Sequence, residues 1–278
     1  STLETGSIVA LRLANRLINF PLGVFAMGIS TAIFPTLSRL KARGESKEFQ
    51  RTLSFGLGVI FFITIPSAVG MACLRTPIVR LLFESGEFTV ADSQATAYAL
   101  LFYTPGLLAQ AVIQVTTRGY YSLQDTITPV KIGLVTVLGN ILFSLAFLRW
   151  TNWGHGGLAL AFSLSSLLNM FVALLILRKK LGGIRGRVLL NTVLKASLSA
   201  SIMGFVVYYL GNYLGLLLDT NKKLGQFGQT FGAITVGLVV YLILSKLFRM
   251  QEIQFIGNLI KARLKKKRLG EGREGSAV

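Results

Sequence analysis

Residues 8–40, IVALRLANRLINFPLGVFAMGISTAIFPTLSRL, decide how this chain is read. The stretch is apolar enough to enter a bilayer, yet Arg12 and Arg16 lie one helical turn apart inside it, with Asn15 and Asn19 on the same face. A guanidinium in hydrocarbon costs from about 2.5 kcal/mol on insertion scales to far more in simulation, so such a residue normally faces a wet cavity or a partner. The helix is therefore expected to turn a cationic stripe inward. Pro21 removes a backbone donor just past that stripe, and Gly23 and Gly28 follow, which predicts a bend or a locally loosened turn. A bent helix with an inward positive face suggests transport of an anion.

Composition supports a membrane reading. Hydrophobic residues make up 52% of the 278, charged residues 14%, and the mean hydropathy is +0.62, far from a soluble average. The fold class is all-α and polytopic, because continuous apolar runs rule out the alternating strands of a closed barrel. A net charge of +18 does not point to nucleic acid, since the basic residues sit in short loops and a tail between apolar runs. Cys73, the single cysteine, excludes a disulfide framework and a cysteine metal cluster. Residues 1–6 carry no basic n-region and no cleavage site, and the chain is expected to begin in the middle of a larger protein.

A span needs roughly 20 apolar residues, and seven segments qualify: Ser7 to Leu40, Leu53 to Leu74, Ala95 to Thr117, Ile132 to Leu148, Gly157 to Leu177, Val188 to Leu218 and Leu224 to Ser245. Pro66 and Pro105 are expected to kink the second and third. Lys and Arg alternate between successive loops, with 21 on one side against five on the other. By the positive-inside rule the start lies outside and the C-terminus in the cytoplasm. Pro77 to Phe83 reads as a short amphipathic segment at the outer interface. The tail, ending in Lys265, Lys266, Lys267 and Arg268, suits anionic membrane lipids or simple anchoring.

At RLINFPLGVFAMGISTAIFPTLSRL (Arg16 to Leu40) and RGYYSLQDTITPVKI (Arg118 to Ile132) the sequence resembles the MurJ (MviN) family of lipid II flippases, within the MOP exporter superfamily. The first block has R-L-x-x-x-P-x-G-V followed by P-x-L-S, and the second has G-x-Y-x-x-x-D-x-x-T-P joining two spans. FESGEF, Phe83 to Phe88, resembles a third family element. The resemblance implies seven transmembrane helices equivalent to helices eight to fourteen of a fourteen-helix, two-lobed flippase. It divides the chain into five helices of the second lobe (residues 1–181), an added helix pair (182–248) and a basic cytoplasmic tail (249–278). The first lobe of the same protein would then be a missing partner. Implied too are the bacterial inner membrane as location and lipid II, the undecaprenyl-diphosphate-linked peptidoglycan precursor, as substrate. Related exporters of drugs or of another lipid-linked oligosaccharide would share these helices, and a non-transporting scaffold is a third class.

The resemblance places Arg16 on the family's functional cavity arginine, while the preceding position, often acidic in the family, is Asn15 here. Candidate substrate-binding residues are Arg16, Arg12, Asn15 and Asn19, joined by Gln110, Gln114 and Arg118, which with Gly106 follow one another at steps of four and read as a polar line facing one way. Thr136, Asn140 and Ser144, and Ser163, Ser166 and Asn169, read as interhelical packing. Asp125 is expected to cap the helix after it, and His155 to be a solvated loop residue. All eleven acidic residues fall in loops, near helix ends or in the tail, so no carboxylate is expected within the membrane. No catalytic motif, metal site or cofactor loop is found. The last two spans, with a Gly228-x-x-x-Gly232 step, would by resemblance line a groove for the polyprenyl tail.

Overall fold

The computed structural model describes residues 6–220 and 222–253. In chain order they form α1 (Ser7–Pro21), a π-helical turn (Leu22–Ala26), α2 (Met27–Ala42), α3 (Ser46–Cys73), α4 (Arg75–Phe83), α5 (Val90–Ser122), α6 (Ile127–Trp150), α7 (Gly154–Lys180), α8 (Gly186–Leu217) and α9 (Lys223–Leu247). Since α1, the π turn and α2 make one rod, the described residues hold seven helices long and apolar enough to cross a membrane. They are the seven predicted from the apolar runs. Their ends reach into flanking polar residues, because helical hydrogen bonding does not stop where the apolar stretch does. The predicted amphipathic segment is α4, which buries Val79. Lys265 to Arg268 lie outside the described residues.

Helix α5 is the axis. Thr89 caps its start in a reciprocal box, the Asp92 N–H donating to Thr89 Oγ1 at 3.3 Å and the Thr89 N–H to Asp92 Oδ2 at 2.9 Å. Ala97, Gly106, Ala109, Ala111 and Gly119 lie on its buried faces, where α1, α2, α3 and α7 approach. Lipid supplies no hydrophobic drive between helices, so close fit decides which surfaces meet. At Gly156 of α7, for example, a Cβ would lie 2.4 Å from Tyr98 Cε1 of α5. Outside this core α6 packs on α7, where Asn140 Nδ2 donates to Ser165 Oγ at 3.2 Å, and Ile132 is its one fully buried residue. On the other flank α8 packs on α3 and α9 on α8. Gly228 and Gly232 face Leu218 and Leu214, as a close-approach step requires.

Pro66 and Pro105 stand inside continuous helices rather than ending them. Each leaves the carbonyl four residues back without its usual N–H, and each orphan finds another donor. The Tyr241 hydroxyl of α9 donates to Phe62 O at 2.7 Å, and Thr104 Oγ1 donates to Leu101 O at 2.7 Å. Beside Pro105, Ser163 Oγ of α7 donates to Phe102 O at 2.5 Å and accepts from the Gly106 N–H at 3.1 Å. It thus sits inside a pair that an unbroken helix would join directly. Side chains of the same helix and of neighbouring helices restore what the prolines remove, which is how such residues are tolerated in membranes.

The two ends of the bundle are tied separately. At the basic end, Gln50 Nε2 donates to Leu181 O at 2.7 Å and the Arg185 N–H to Ser54 Oγ at 3.2 Å. Asp125 accepts from the Thr128 N–H at 3.0 Å, capping α6 as expected, and pairs with Lys180. At the opposite end Arg80 grips Glu84 through two bonds of 2.9 and 3.1 Å, Ser93 donates to the same carboxylate, and Lys223 of α9 reaches Arg80 O at 3.2 Å. The hydrogen bond from Arg80 holds the Glu84 carboxyl below its usual range.

Two expectations change. His155 is not a solvated loop residue: it lies in the first turn of α7, half-buried, with Nε2 3.0 Å from Ala95 O and its ring edge-on to Tyr98. Glu252 is 6% exposed, its Oε1 accepting from Thr192 Oγ1 at 2.8 Å and standing 2.9 Å from where a Cβ on Gly58 would be. A carboxylate assigned to the tail is therefore packed between α3 and α8. Gly58 made that possible by leaving room on α3.

Candidate functional site

Helix α1 buries Ser7, Ala10, Ala14, Ile18 and Pro21 on the side that meets α5. This 3-4-4-3 spacing traces one helical stripe, and it leaves Arg12, Arg16 and Asn19 exposed, with Asn15 at the boundary. Asn19 Nδ2 donates to Asn15 O and to Asn15 Oδ1, both at 3.0 Å. The two amides bind each other, Asn19 donating and Asn15 accepting. Among the described residues no carboxylate or carbonyl takes the side chain of Arg12 or Arg16. Two guanidinium groups thus stand free on one face, each with a planar fork suited to a paired-oxygen anion.

Beyond this face the backbone changes pitch. Pro21 cannot donate, the Leu22 N–H bonds Asn19 O three residues back, and the Met27 N–H bonds Leu22 O five back. The predicted loosened turn is thus a π-helical one, a form often found at functional sites. It widens the rod at Pro21 and Phe25, which enter the wall of an apolar groove of about 620 Å³. Phe62 and Pro66 of α3, Met203 of α8 and Tyr241 of α9 complete that wall. The groove therefore meets α1 at Pro21, the end of its buried stripe, on the side away from Arg12 and Arg16. Tyr241 holds both a wall position and the carbonyl freed by Pro66.

The residues predicted on α5 do not share one direction. Gly106 bonds Ser163, and Gln110 Nε2 donates to Ser166 Oγ at 3.0 Å, both toward α7. Gln114 is half-buried, and the Arg118 guanidinium lies 5.7 Å from the Phe34 ring centre of α2, a cation–π contact. The reason is geometric: each step of four residues overshoots a full turn by about 40°, so three steps rotate the line by about 120°. Ser163, read from the sequence as interhelical packing, joins α7 to α5 beside Pro105; the sequence reading missed Tyr241, although the carbonyl four residues before Pro66 required a donor.

A family model described as lipid II flippase MurJ matches residues 1–220. The probable lipid II flippase MurJ of Vibrio cholerae is 42% identical over 170 residues, covering 61% of this chain and 32% of that protein. That of Bdellovibrio bacteriovorus is 33% identical over 256 residues, covering 92% and 48%. Among solved structures, lipid II flippase MurJ in an inward closed conformation superposes with a TM-score of 0.69 at 32% identity, over 88% of this chain and 48% of that one. The chain spans between a third and a half of the length of these relatives.

Proposed function

The chain belongs to the MurJ family of lipid II flippases, and on that premise we propose that it forms part of a transporter moving lipid II across the bacterial inner membrane. In this reading Arg16, with Arg12 and Asn19 on the same exposed face, binds the diphosphate, and Asn15 orients Asn19. The groove that opens at Pro21 and Phe25 takes the polyprenyl tail. One observation carries the proposal: two guanidinium groups, with no carboxylate or carbonyl partner among the described residues, stand on one exposed face of a helix long and apolar enough to cross a membrane, where the paired oxygens of a diphosphate can meet them. Gln114 and Arg118 serve later positions of the headgroup, and Gln110 stiffens the α5–α7 contact through Ser166. Transport proceeds by alternating access against a first lobe of the same protein.

We place the basic end in the cytoplasm, supported by the charge imbalance between the two sets of loops. Residues 1–181 act as the second-lobe bundle, 182–248 as the helix pair that walls the groove, and 249–278 as a basic tail suited to anionic lipids. The test uses the intact gene in a bacterium depleted of its own flippase. Wild type restores growth, Arg16→Ala does not despite equal protein in the membrane, and Arg16→Lys restores it partly, because an ammonium keeps the charge without the fork. Growth of the Arg16→Ala strain at the wild-type rate would refute the assignment. Rescue failure by the wild-type gene would favour an exporter of another substrate.

A further inference from the structure

We propose that the basic end carries a binding site for the phosphate of an anionic phospholipid, in the cleft between the start of α8 and the turn after α9. The cleft, about 370 Å³, is lined by Arg187, Asn191 and Lys195 of α8 and by Arg249 and Glu252 beyond α9. Three cations face one carboxylate there. That carboxylate is buried and bonded to Thr192, and among the described residues it forms no ion pair with any of the three. Lys195 gives one N–H to Phe248 O at 2.9 Å, closing the end of α9. The side chains of Arg187 and Arg249 have no hydrogen-bond or ion-pair partner among the described residues. A phosphodiester between them would supply the oxygens these donors lack.

The backbone at Arg249 points the same way. Helix α9 ends with the Arg249 N–H on Lys246 O and the Met250 N–H on Ser245 O, both 3.0 Å, the bond pair of a Schellman end, whose left-handed residue is usually glycine. Arg249 occupies that position at φ +51. Helices α2 and α7 close in the same pattern on Gly44 and Gly182, and α5 on Gln124. A glycine at 249 would relieve the strain, but only the arginine brings a guanidinium to a cleft already holding Arg187 and Lys195. Val188 lines the cleft and, like Leu190 and Leu194 on the adjoining turns of α8, is exposed, which suits the acyl chains of a lipid rather than a free phosphate.

Thermal unfolding of the full chain in neutral detergent micelles tests this. Added phosphatidylglycerol raises the midpoint of the wild type, whereas phosphatidylcholine and glycerol 1-phosphate at equal concentration do not. In R187Q/R249Q the lipid concentration for half the effect rises about tenfold or more, from two lost charge-assisted contacts. R178Q/K179Q, an equal charge change on exposed residues at the same end, responds as wild type does. A separate variant, R249G, has a higher midpoint than wild type without added lipid and a smaller response to phosphatidylglycerol. An unchanged response in R187Q/R249Q, an equal effect of phosphatidylcholine or of glycerol 1-phosphate, or a lowered lipid-free midpoint in R249G would each overturn the proposal.

Discussion

Replacing Tyr241 by Phe removes one oxygen from the wall of the groove, and the structure sets its cost. The hydroxyl donates to Phe62 O, whose helical partner is missing because residue 66 is proline. Phe62 and Tyr241 are each 3% exposed, so water cannot take over. Hydrogen bonds between membrane helices average about 0.6 kcal/mol with a maximum near 1.7, because the separated helices find other partners. Here the acceptor is left with no donor, which puts the loss at the upper end, about 1.5–2 kcal/mol. Pro66→Ala returns an N–H to the same carbonyl, so Tyr241→Phe in that background should cost only about 0.5 kcal/mol. The double-mutant cycle therefore predicts a coupling of about 1 kcal/mol, readable by reversible unfolding of the full chain in mixed micelles. Equal costs in the two backgrounds, within about 0.3 kcal/mol, would show that proline and phenol are not partners.

Two further outcomes follow from local geometry. The Asp125 carboxyl, held down to about 2 chiefly by its hydrogen bond from Lys180, has a folded pKa below its unfolded value, so its stabilising contribution is complete above about pH 4. It is lost as the pH falls from there toward 2, and Asp125→Asn should flatten that part of the stability curve. If the variant and wild type lose stability in parallel over this interval, the pairing contributes nothing. Gly156→Ala forces a Cβ onto Tyr98 and should destabilise by about 1–3 kcal/mol, whereas Gly133→Ala, with nothing within 4 Å, should be neutral or gain up to about 1 kcal/mol. Similar unfolding midpoints for the two variants would disprove the close-packing account.

The seven spans were legible because each apolar run is long and the alternatives in a bilayer are few. Pro21 with its following glycines announced a disturbed turn, though not that it would be π-helical, since pitch depends on what packs against the rod. Arg12 and Arg16 could be placed on one face from spacing alone. The α5 line could not be followed so far, because a four-residue step drifts around the helix and the last member, Arg118, met Phe34 instead of the surface that Gln110 shares with Ser166. Glu252 was unreadable for a different reason: its burial depends on Gly58, far away in sequence, leaving a gap of the right size. His155 was hidden in the same way by Ala95 and Tyr98.

Helix α6 touches little besides α7, and during synthesis α7 does not yet exist when α6 leaves the ribosome. It must therefore persist as a solitary traveller in lipid, held by its own hydropathy, until Ser165 arrives to meet Asn140. Substitutions on its outer side are then tolerated or rejected at the moment of insertion, long before the finished bundle has any say in the matter.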